Sequence, residues 1–76
     1  MDFITFEDLG GDPAYIRISE IAVVWCEYRG VGKPEIRIPY ASIFMKGDGD
    51  HRIRVKETYQ EVISKIAAYY YVNRAV

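Results

Sequence analysis

The chain has 76 residues, half of them apolar and 28% charged, with a net charge of −1. That length makes one domain, 1–76, with no room for a second, and the balance is globular rather than disordered. It argues against bulk nucleic-acid binding, which shows a clear basic excess. The single cysteine, Cys26, excludes an intrachain disulfide and a cysteine-built zinc site.

In chain order, FITF (3–6) is apolar and β-prone. GGDP (10–13) is a turn signal, with glycines for positive φ and Pro13 fixing the exit. AYIRI (14–18) alternates, with Ile16 and Ile18 on one face and Tyr15 and Arg17 on the other. Ser19 and Glu20 interrupt it. IAVVWCEY (21–28) is apolar almost throughout, which predicts a central strand covered on both faces. RGVGKP (29–34) reads as a loop. EIRIPYASIFMK (35–46) reads as a strand disturbed at Pro39, which removes a ladder donor and implies an edge, a bulge or a break. GDGD (47–50) is a tight turn, and HRIRV (51–55) is the last strand.

The period then changes. TYQE (58–61) matches a capping box, in which the Thr58 hydroxyl accepts a backbone N–H and Glu61 reaches back. Tyr59, Val62, Ile63, Ile66, Ala67 and Tyr70 follow at helical spacing, which predicts a helix over 58–72 with this stripe against a sheet. Strands over 1–56 followed by one helix predict an α+β fold: an antiparallel sheet of four to five strands with a C-terminal helix packed on one face.

The segment IRVKETYQEVISKI (53–66) resembles the closing segment of small FlbD-like proteins from flagellar and swarming operons. AYIRISEIAVV (14–24) is similar to their second strand, polar break and third strand. The likeness covers about half of the chain and departs from the family over 29–46, which is longer than a tight hairpin. It implies a small bacterial accessory protein without catalysis, and it transfers no site residues.

The motifs that carry chemistry fail on spacing. GVGKP (30–34) resembles a phosphate-binding loop, but one residue separates its glycines and Pro34 follows the lysine, so it reads as a hairpin loop. DGDH (48–51) lacks the downstream acid of a calcium loop, since Arg52 and Arg54 stand there, so it reads as a solvated turn. His51 has no sequence-visible nucleophile partner. Cys26, inside an apolar run beside Trp25, reads as a buried and inert thiol. No catalytic residue, cofactor or metal site is expected.

Two surfaces remain. Arg17, Arg37, Arg52 and Arg54 each sit among branched aliphatic residues, and alternation points them away from a covered face. Paired with Glu20, Glu27 and Glu35 they form a solvated sheet face; unpaired, they form an anionic or RNA contact. AAYYYV (67–72) is apolar all round, with Tyr71 and Val72 turned away from the helix stripe and Tyr69 on its flank. Those three are the expected interface of a homodimer. The reading is a non-enzymatic accessory or regulatory protein acting through protein–protein contact, with itself and with another protein. The alternative is a small nucleic-acid-binding regulator. No apolar run approaches the roughly 20 residues of a membrane span, and the start shows no signal-peptide pattern, so a cytoplasmic location is expected.

Overall fold

Alternating and branched segments become strands, and the change of period at Thr58 becomes a helix. The computed structural model describes residues 2–47 and 51–74. The elements are β1 (Phe3–Glu7), β2 (Pro13–Arg17), a short 3-10 turn (Ile18–Glu20), β3 (Ile21–Val31), β4 (Ile36–Met45), β5 (Arg52–Val55) and α1 (Tyr59–Arg74). All strand pairs are antiparallel, so the fold is α+β with one C-terminal helix, as expected. The strands divide into a two-stranded sheet, β1–β2, and a three-stranded sheet, β3–β4–β5, in place of one sheet. An Asp8–Val55 bridge and a 2.8 Å bond from the Lys56 N–H to the Glu7 carbonyl tie the two together.

Turn chemistry places the first hairpin. The Asp8 carboxylate accepts the N–H groups of Gly10 and Asp12, both at 2.9 Å, and Gly11 takes φ 94° where a side chain would strain. The second turn covers 32–35, so β3 continues through Arg29, Gly30 and Val31, a stretch that reads as loop in the sequence. The turn expected at 47–50 has Gly47 at φ 83°; its remaining residues lie outside the described ones.

One cluster forms the core: Phe6 and Ile16 from the small sheet, Ala41, Ile43 and Val55 from the large sheet, and Val62 from α1. Ile4, Ile21, Val24, Met45, Ile53 and Ile66 surround it. The capping box is complete: Thr58 N–H donates to Glu61 at 2.9 Å, and Glu61 N–H to the Thr58 hydroxyl at 3.2 Å. The buried line of α1 is narrower than the expected stripe. Val62 is fully buried and Ile66 and Tyr69 are half-buried, whereas Tyr59, Ile63 and Tyr70 are exposed. Lys65 explains one side of this. Its ammonium lies on the β1 side, bonded to the Thr5 carbonyl at 3.0 Å and Glu57 at 2.9 Å, so the helix settles along the Val62–Ile66–Tyr69 line.

The expected central strand is corrected. β3 is an edge strand and β4 is the centre, with Ala41, Ser42 and Ile43 fully buried. A run of apolar residues is the same signal whether neighbours cover it or not, so periodicity could not separate the two cases. Pro39 fits an edge: β5 pairs only with Ala41–Phe44, leaving Pro39 where β4 has β3 as its sole neighbour.

Candidate interaction surface

Beyond the end of β5, β3 and β4 continue as a two-stranded arm from Glu27↔Tyr40 to Val31↔Ile36. The chain measures 50 × 26 × 20 Å, with a radius of gyration of 13.6 Å. A compact chain of this length has about 11 Å, and the arm accounts for the excess.

Register assigns the side chains to faces, because directly paired residues share one. Ala41, Ile43, Val55 and Ile53 define the core face, which also carries Val24, Cys26, Tyr28 and Arg37. The opposite face carries Val23, Trp25, Glu27, Arg29 and Val31 from β3. Ile36, Ile38, Tyr40, Ser42 and Phe44 join it from β4, and Arg52 and Arg54 from β5. None of its residues belongs to the core cluster, and much of it is apolar. Trp25 is 57% exposed and Ile36 66%, and Val23, Val31 and Ile38 are exposed too.

The open face has one polar centre. The Ser42 hydroxyl donates to the Glu27 carboxylate, and Arg52 donates to both carboxylate oxygens at 3.4 Å. Ser42 is fully buried and Tyr40 nearly so. The burial of Ser42 is satisfied by its bond to Glu27.

The four predicted arginines are all exposed, but they do not gather. Arg17 belongs to the small sheet, with an ion pair to Asp2 at 3.7 Å and its guanidinium 5.0 Å from the Phe3 ring centroid. Arg37 lies on the core face of the arm, 5.3 Å from the centroid of Tyr28. Arg52 and Arg54 share the open face; Arg52 pairs with Glu27, and Arg54 has no ion pair among the described residues. The cross-strand pairing expected for Glu27 is present, reaching over β4 to Arg52.

Cys26 is corrected from buried to exposed. It lies at the base of the arm, paired with Ala41, on the same face as Tyr28. A hydrogen bond with Cys26 and the charge of its thiolate raise the Tyr28 phenol above its ordinary value, with a smaller contribution from burial, while Arg37 acts in the opposite direction. Among the described residues no cluster of three His, Cys, Asp or Glu side chains is placed to hold a metal ion. Asp48 and Asp50 of the predicted turn lie outside the described residues, and His51 is exposed.

The helix end is the second open area. Tyr71 is 79% exposed, Val72 and Tyr70 are exposed, and Tyr69 meets Tyr70 edge to face with centroids 5.6 Å apart. Sequence reasoning picked out this end but missed the open sheet face, because Val23, Trp25, Val31, Ile36 and Ile38 look like core residues in a pattern. The signal available was Glu27 and Arg29 alternating with them, which marks a face that meets water or a partner. No helix among the described residues is long and apolar enough to cross a membrane. Comparison with known proteins returns no match to a family model, a curated protein or a solved structure.

Proposed function

We propose that this chain is a small non-enzymatic accessory or regulatory protein that works by protein–protein contact. The arm carries the reading. It projects Val31, Ile36 and Ile38 from one face, which Val23 and Trp25 extend across its base, and contiguous apolar surface on a small protein marks an interaction site. Tyr71 and Val72 at the helix end, with Tyr69 beside them, supply a second contact area. The resemblance to FlbD-like accessory proteins supports the same reading and a bacterial cytoplasmic setting.

Site-specific photo-cross-linking in the expressing cell tests it. A photoreactive residue at Ile36 or at Tyr71 is expected to yield a discrete adduct of defined mass, and one at Gln60, on the exposed side of α1, none. Absence of a discrete adduct at both Ile36 and Tyr71 rejects the proposal.

A second reading, a nucleic-acid-binding regulator, is favoured by one observation. Arg54 is exposed without an ion pair among the described residues, on the same face as Arg52. Three of the four arginines having side-chain partners weighs against it.

A further inference from the structure

The outer edge of β3 is 11 residues long and, among the described residues, pairs with no strand. Edge strands are ordinarily blunted by short length, proline, lysine or bulges. β3 has no proline or lysine, and its one irregularity lies at the base, between Ile21 and Val23. Its outer N–H and C=O groups are a template for another strand.

The residues along this edge are complementary to themselves. In two-fold antiparallel pairing one residue lies on the axis, and residues equidistant from it face each other on the same side of the sheet. With Tyr28 on the axis, Glu27 faces Arg29 of the second copy, Trp25 faces its Val31, and Cys26 faces its Gly30. Symmetry repeats each contact, so two Glu–Arg pairs form, flanked by two Trp–Val pairs. Neighbouring registers lose this. Glu27 on the axis opposes two carboxylates, and Arg29 on the axis opposes two guanidiniums, both destabilising. Cys26 on the axis sets Glu27 against Trp25 and Arg29 against Val23. Arg29 is exposed and has no ion pair among the described residues. Glu27 accepts from Ser42 and Arg52, and a carboxylate with about four acceptor sites keeps room for another guanidinium.

We infer that the chain forms a two-fold homodimer by antiparallel pairing of β3 with β3 of a second copy, centred on Tyr28. The inference rests on the proposed function and gives the outer edge of β3 to a second copy, which leaves the open face of the arm and the helix end for another protein.

Light scattering on the full chain at micromolar concentration is expected to give twice the chain mass. A single-chain mass overturns the dimer, while the photo-cross-linking experiment still decides whether the chain works by contact with another protein. Arg29→Glu, at an exposed position, is expected to weaken the dimer by about tenfold or more, since two attractions become two repulsions. Tyr28→Cys combined with Cys26→Ser is expected to give an intermolecular disulfide on mild oxidation. Facing Cα atoms lie about 4.5–5.5 Å apart, within the roughly 4.4–6.8 Å that a disulfide spans. Native Cys26 lies about 14 Å from its symmetry copy in this register and is expected to stay reduced. A dimer that survives Arg29→Glu, or one that cross-links through native Cys26 and not through the Tyr28→Cys variant, overturns the inference. So does a dimer abolished by Tyr71→Glu with Val72→Glu alone.

Discussion

Glu57 shows how one side chain joins three elements. It follows β5, its carboxylate accepts the Glu7 N–H of β1 at 3.2 Å, and Lys65 of α1 donates to it at 2.9 Å. Burial alone raises its pKa; the bond and charge of Lys65, with the backbone N–H groups of Glu7 and Glu57, outweigh that and leave it below the ordinary value of 4.5. The sign follows. A depressed folded value means that Glu57 contributes stability fully above 4.5 and loses it as pH falls through the lower folded value. Glu57→Gln is expected to cost about 1 kcal/mol near neutral pH, given the part-exposed lysine. Urea titrations of the two proteins are expected to separate near neutral pH and to converge as pH falls below 4.5 through the lower folded value. A gap that persists in acid shows that the carboxylate charge is not its source.

At the scale of the element, α1 owes its start to local chemistry and its seat to packing. Thr58→Ala removes one bond of the reciprocal cap and is expected to cost about 1 kcal/mol. Val62→Ala leaves a void against Phe6, Ile16, Ala41, Ile43 and Val55, and about 2 kcal/mol is expected. Ile63→Ala, one position along on the open flank, is expected to cost under about 1 kcal/mol. Thermal melts of the three variants give the order directly. An Ile63→Ala effect equal to that of Val62→Ala means that the helix rests on a different line. The arm presents the reverse case. Its strands have regular hydrogen-bonded pairing through Val31↔Ile36, yet none of its open-face residues belongs to the core cluster. Its exposed apolar surface therefore adds solubility risk rather than stability unless a partner covers it.

For the whole molecule, the distribution of charge matters more than its sum. Net charge is −1, and the arginines of the strands divide between the small sheet, the core face of the arm and the open face of β3 and β5. One nucleic-acid strand on the open face meets Arg29, Arg52 and Arg54 but not Arg17 or Arg37. Each phosphate contact contributes roughly −0.9 to the log–log salt slope on duplex DNA, so any binding is expected to be weak with a slope no steeper than about −3. Anisotropy titrations across ionic strength measure it. A slope steeper than about −3 requires Arg17 or Arg37 to act with the open-face arginines, against their division between faces.

The sequence by itself determined the elements whose causes are local. The capping box placed the helix start at Thr58, glycines placed the turns at Gly11 and Gly47, and alternation placed Arg52 and Arg54 opposite Ile53 and Val55. The α+β class followed from strand runs before one helix. Only the tertiary structure decided which strand is central, where α1 rests and which apolar residues stay in water. These depend on contacts between segments far apart in the chain: β5 pairing with β4 made Ala41–Ile43 the covered centre, and Lys65 reaching Thr5 and Glu57 oriented the helix. Cys26 and Trp25 look buried in the sequence because an edge strand can have the same composition as one with a neighbour on each side. What separates them is the neighbour, and the neighbour is a property of the fold.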